Sequence, residues 1–115
     1  MKVAHRQTRD DALDDLFQAL ANRTRRAMLS RLARGPARVT DLAAPFAMSL
    51  PAASQHLRVL EHAGLVRRTV DGRVHHCALD AGPLHRADAW LAHYRRFWDD
   101  TLARLADFAE GEDKA

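Results

Sequence analysis

His75, His76 and Cys77 stand side by side in RVHHCAL, residues 73–79, and Cys77 is the only cysteine of the chain. Thiolate and imidazole are soft metal ligands, and a Cys/His pair can also act as nucleophile and base. Strand geometry argues against the first use. Successive side chains of a strand point to opposite faces, so His75 and Cys77 share one side and His76 takes the other. Three ligands on two faces cannot converge on one ion; His75 and Cys77 alone would need help from elsewhere, and His5 is available but generic. A nucleophilic dyad would require a pocket, an orienting third group and oxyanion donors, and the sequence supplies none of them. Cys77 shares a face with Leu79 and is read as packing, with a redox-sensitive or effector-contacting thiol as the alternative. No cofactor, metal or catalytic residue is expected.

The chemistry in which the chain is rich is cationic. Net charge is +3 with a pI near 9.7, and its placement says more than its sum. From Leu16 to Thr40 there is no acidic residue, yet Arg23, Arg25, Arg26, Arg31, Arg34 and Arg38 all fall there. After Trp98 the sign reverses, with Asp99, Asp100, Asp107, Glu110, Glu112 and Asp113. A basic body with an acidic end suits a protein that offers one surface to phosphate; a set of solvated helix faces is the alternative.

Length bounds what can position these groups. A chain of 115 residues is a single domain, 1–115, with a modest core. An apolar fraction of 47% excludes wholesale disorder. A lone cysteine excludes an internal disulfide framework and fits a reducing cytosol. No apolar run spans a bilayer and the N-terminus lacks a signal-peptide core, so a cytoplasmic protein without membrane contact is expected.

Periodicity then gives the elements. Ala12, Leu13, Leu16, Phe17 and Leu20 predict a first helix over 11–21. Asn22 caps a second, whose stripe of Ala27, Met28, Leu29 and Leu32 stops at Gly35-Pro36. Thr40 is the expected N-cap of a short third helix that Pro45 kinks or ends. Ser49 caps a fourth, with Pro51 in its first turn and Gly64 past its end. LVRRTV and RVHHCAL flank Asp71-Gly72, a strong hairpin turn signal. From Leu84 to about residue 109 a long helix carries Leu84, Ala87, Leu91, Tyr94, Trp98, Thr101, Leu105 and Phe108 in a seven-residue repeat, the seam of one helix packing on another. The order helix, helix, helix, helix, hairpin, long helix is mainly α with a two-stranded β-wing: a winged helix-turn-helix.

In this arrangement Ala53, Leu57 and Leu60 of the fourth helix face the core, while Ala52, Ser54, Gln55, Arg58 and His62 lie outside. The N-terminal residues of such a helix meet base edges, so Ala52, Ser54, Gln55 and His56 are the expected readers, with Ser49 and Pro51 at its start and Arg58 one turn on. Arg67, Arg68 and Arg73 would lie on the wing, Arg73 foremost. One of Arg67 and Arg68 must point back to the body. His75 joins the set, although which of His75 and His76 faces DNA stays open.

LFQALANRTRRAMLSRL followed by VTDLAAPFAMSLPAASQHLRVLEHAGLVRRTVDGRVHHCAL resembles the ArsR/SmtB family of bacterial regulators, from about Asp11 to Phe108. The SQHLRVLEHAGLV string with a DGR wing tip is the most specific part. The resemblance implies a homodimer built from the first and last helices, with Leu13, Leu16, Phe17, Leu91, Tyr94, Trp98 and Leu105 at the interface. It also implies a double-stranded inverted-repeat operator, repression of transcription, and release by an effector, here an unidentified small molecule if any. Members that sense thiophilic metals carry two cysteines just before an Asp-Leu pair; Arg38 and Thr40 stand there instead. Members that hold zinc between their last helices use an Asp-x-His and a later His-x-x-His or His-x-x-Glu. This chain offers His85, Asp88 and His93, with Arg96 where the next ligand would fall. The chain therefore looks like a branch without the usual metal boxes. The rivals are a winged-helix protein-interaction module and a repressor with an atypical metal site. The aromatics Trp90, Tyr94, Phe97 and Trp98 could host an apolar ligand, though packing is the favoured reading.

Overall fold

The computed structural model describes residues 8–113, so His5 lies outside the described residues. Five α-helices and a three-stranded antiparallel sheet follow one another along the chain. Helix α1, Arg9–Leu20, starts two residues before the expected boundary because Thr8 closes a capping box. Its hydroxyl accepts from the Asp11 amide at 3.0 Å, and the Asp11 carboxylate accepts from the Thr8 amide at 3.2 Å. Helix α2, Arg23–Leu32, is capped by Asn22 as expected.

The next element was not foreseen. Ala37–Arg38 form a strand, β1, which pairs antiparallel with the returning strand of the hairpin, Ala37 opposite Cys77 and Arg38 opposite His76. The wing is thus part of a three-stranded sheet rather than a two-stranded hairpin alone. Two residues are too short to show a period. The same pairing corrects the start of the third helix: α3, Val39–Ala43, begins directly after β1, with Arg38 at the cap position and Thr40 inside the first turn. Pro45 falls in a 3₁₀ turn, Ala44–Phe46, ended by Ala47 in the left-handed region at φ 51°.

Helix α4, Leu50–His62, has both expected ends. The Ser49 hydroxyl accepts from the Ala52 amide at 3.2 Å, and Pro51 sits where its missing N–H costs nothing. At the other end Gly64 takes φ +78°, its amide donating to Glu61 O while that of Leu65 donates to Leu60 O, a Schellman motif. Strands β2, Val66–Asp71, and β3, Val74–Leu79, then form the hairpin, with β3 central in the order β1-β3-β2. Asp71 pairs with Val74, so the turn residues are Gly72 and Arg73, one step beyond the expected Asp71-Gly72. Gly72 has φ +62° and Arg73 does not follow it into positive φ, the pattern of a type II′ turn.

Leu16, Met28, Leu42, Leu57, Leu60, Leu65 and Cys77 are wholly buried and form the centre of one core. Each leucine there contributes roughly 1.5–3 kcal/mol of transfer free energy. Helix α5, Leu84–Asp113, runs about 45 Å at 1.5 Å per residue. Beyond Ala87 its residues are exposed through position 111. This projection gives a radius of gyration of 19.8 Å, where a compact domain of this size has about 13 Å.

Candidate nucleic-acid interface

Along α4 the exposed side chains are Leu50, Pro51, Ala52, Gln55, Arg58 and His62, while Ala53, Leu57 and Leu60 are buried as expected. Gln55 Oε1 accepts from Arg58 Nη1 at 3.2 Å. This contact holds two groups suited to base edges in a fixed relation and leaves the Gln55 amide donors free of it. The Ser49 hydroxyl is occupied as a helix cap. Ser54 is half-buried and faces a cleft between the starts of α3 and α4 and the wing, lined by Arg38, Thr40, Ser54, Arg68, Arg73 and His75. The cleft gathers four of the expected residues and adds two further polar ones, Arg38 and Thr40. Arg38 ends β1, an element with no sequence signature, and Thr40 stands in the first turn of α3 that follows it.

The wing arginines divide. Arg73 is exposed at the hairpin tip. Arg68 turns inward with its side chain only 17% exposed, its Nη2 and Nε bonding Glu61 Oε1 of α4 at 2.6 and 3.0 Å. Its Nη1 lies 3.4 Å from His75 Nδ1. Arg67 takes the outer face and pairs with Asp80 at 3.1 Å. The Gly82 amide, then Arg67, hold the Asp80 carboxyl below the usual carboxylate value. Strand alternation therefore did select one inward arginine, and it is Arg68. His76 is exposed, His75 is half-buried beside Arg68, and Cys77 is buried beneath the sheet. Burial pushes the Cys77 thiol up against the smaller opposing effect of Arg68, the reverse of what an activated thiolate requires.

Two groups of expected contacts are placed differently. Arg25, Arg26 and Arg31 of α2 bond backbone carbonyls, of Gln18 and Ala19, of Leu20, and of Gly35. His56, expected to face bases, is half-buried with Nδ1 3.4 Å from Arg25 Nη1. On the long helix Leu91, Tyr94, Trp98 and Leu105 are exposed, together with Trp90, Phe97, Leu102 and Phe108. Leu13 and Phe17 are half-buried, and Phe17 meets Trp90 edge-on at 5.6 Å. Leu16 is a correction: it is fully buried in the protomer's own core and presents no surface to a partner. Asp88 is bonded to Arg95, and among the described residues no cluster of three His, Cys, Asp or Glu side chains could hold a metal.

A helix-turn-helix domain model matches residues 20–69, the span from the end of α1 through most of β2. The HTH-type transcriptional regulator Rv2034 of Mycobacterium tuberculosis is 43% identical over 99 residues, covering 86% of this chain and 90% of that protein. The crystal structure of the ArsR family transcriptional regulator RHA00566 superposes with a TM-score of 0.74 at 46% identity, covering 78% of this chain and 93% of the other. The chain belongs to the ArsR family. It is a DNA-binding transcriptional regulator with a winged helix-turn-helix fold. The transcriptional repressor SdpR of Bacillus subtilis is a more distant relative, 27% identical over 90 residues that span 78% of this chain and all of that protein. Among the described residues of this ArsR-family regulator, no helix is long and apolar enough to cross a membrane.

Proposed function

We propose that this ArsR-family regulator is a homodimeric repressor that binds an inverted-repeat operator through α4 and the wing, without using a metal. The observation that carries the dimer is the apolar stripe of α5, from Trp90 to Phe108, which the body leaves uncovered. Contiguous exposed aromatics at heptad spacing mark an association surface, and a second copy offers the same stripe. Leu13 and Phe17 flank its near end. Half-sites about one helical turn apart would then receive the two α4 helices in successive major grooves. In each head Gln55, Arg58, Ala52 and Ser54 read bases, while Arg73, with Arg38 and Thr40 across the cleft, meets the phosphates. Arg38 and Thr40 where metal-sensing relatives have thiolates, and Asp88 held by Arg95, support a metal-independent switch.

Footprinting on the DNA upstream of the protein's own gene, at several salt concentrations, tests this reading. Gln55→Ala should lower operator affinity by about 1–3 kcal/mol and leave random-DNA affinity nearly unchanged. Arg73→Ala should weaken both and reduce the salt slope by about one. Equal losses on both DNAs for Gln55→Ala, or an unchanged slope for Arg73→Ala, would count against these roles.

A further inference from the structure

Arg25 stands at a junction of three helices. It lies in the first turn of α2, and its side chain reaches back to the end of α1, where Nε donates to Ala19 O and Nη2 to Gln18 O, both at 2.8 Å. The last carbonyls of a helix have no partner within it, and its C-terminus favours a cation. Helix α1 has no basic residue in its own last turn, so the next helix supplies both needs, Arg25 at Gln18 and Ala19 and Arg26 at Leu20. The remaining nitrogen, Nη1, approaches His56 Nδ1 on α4 at 3.4 Å. A guanidinium only donates, so Nδ1 is the acceptor of this contact.

Burial of Ala53, Leu57 and Leu60 fixes which face of α4 meets the body, and polar contacts add direction to that apolar contact. A planar fork with every nitrogen engaged is directional in a way that a flexible ammonium is not. His56 directly follows Gln55, so whatever sets the azimuth of His56 also sets where Gln55 points.

We infer that Arg25 is a positioning residue for DNA reading, registering α4 against the C-terminus of α1 with His56 as its docking point rather than a base reader. The inference rests on the assignment of α4 as the recognition helix. Because α1 meets α5 through Phe17 and Trp90, the same guanidinium joins the reading helix to the base of the long helix.

The test titrates wild type, Arg25→Lys, His56→Ala, His56→Asn and the double variant Arg25→Lys/His56→Ala against the footprinted operator and a random duplex of equal length. Thermal unfolding of each variant is followed in parallel. Arg25→Lys keeps the charge, so a simple phosphate contact would survive it, but an ammonium cannot hold three acceptors in one plane. The ratio of operator to random affinity should fall about tenfold in Arg25→Lys and in His56→Ala. The double variant should be no worse than either single one. His56→Asn, which keeps an acceptor near the position of Nδ1, should restore most of the ratio. An unchanged ratio in Arg25→Lys, or additive losses in the double variant, would overturn the inference, the latter by making His56 an independent reader. If Arg25→Lys fails to fold, the pair His56→Ala and His56→Asn decides: equal losses in both overturn it. A wild type with no preference for the operator would instead overturn the assignment of α4 itself.

Discussion

The body and the distal half of α5 carry the same kinds of side chain into opposite surroundings. In the body Leu57, Leu60 and Leu65 are closed off from water. On α5 Phe97, Leu102 and Phe108 are 76%, 62% and 66% exposed. Both stretches have helical apolar spacing, so periodicity alone does not separate a stripe that meets its own core from one that awaits another chain. Reach separates them: α5 outruns the body after Trp90, and nothing among the described residues extends far enough to cover it. In the proposed dimer the first region is stable by itself, whereas the second would draw its stability from association and so depend on concentration.

The sharpest way to break this contrast is Trp98→Glu/Leu105→Glu. Two unpaired carboxylates in an apolar seam should raise the dimer Kd by about a thousandfold or more, read by sedimentation. The circular dichroism of the body should persist; a variant that stays dimeric removes α5 as the seam. In that monomeric background Leu57→Ala should cost the body about 2–5 kcal/mol in urea unfolding, whereas Phe97→Ala should change it by less than about 0.5 kcal/mol. A comparable cost for both would erase the distinction. Glu61→Gln weakens the tie between α4 and the wing at the inward Arg68, and a loss of about 1–3 kcal/mol is expected. Amide exchange should quicken in β2 and β3 more than in α5.

The smallest effects are those of pH. Asp80 has a lowered folded-state pKa, so its contribution is present above the usual value of 3.8 and is lost as pH falls through the folded value. Cys77 has a raised one, so the unfolded chain releases that proton first and stability declines as pH rises above 9.0. Asp80→Asn should flatten the acid limb and Cys77→Ser the alkaline limb of a stability profile; an unchanged limb removes that group from it.

The body was largely legible in the sequence because its elements carry strong punctuation. Asn22, Ser49, Pro51 and Gly64 each mark a boundary by a backbone mechanism that acts within a few residues, and each stands where it was expected. The turn was placed one residue early because Asp-Gly suits a type I′ turn, while the II′ turn here puts Gly72 first. Strand β1 is two residues held only by long-range pairing and has no period to read, and with it go the cap of α3 and the place of Arg38 in the cleft. Leu16 belongs to a stripe wide enough to serve core and seam together, and spacing could not say that it falls on the inner side. The inward turn of His56 and the carbonyl contacts of Arg25 and Arg26 depend on how α1, α2 and α4 come together. Residue type alone suggested phosphate and bases for them.

Because β3 is the central strand, the wing is anchored at its base: beyond its pairing with β2, β3 pairs at Cys77 and His76 with the short β1, which passes without a loop into α3. A two-stranded arm could swing on its base, but an arm sewn to the start of the helix-turn-helix moves only with it. Each head of the proposed dimer would then act as a solid die, the base of its wing carried along with α3. In the proposed dimer, any signal that lifts the protein from its operator would have to act on the spacing or tilt between two such dies, which is set where α1 meets the long helix.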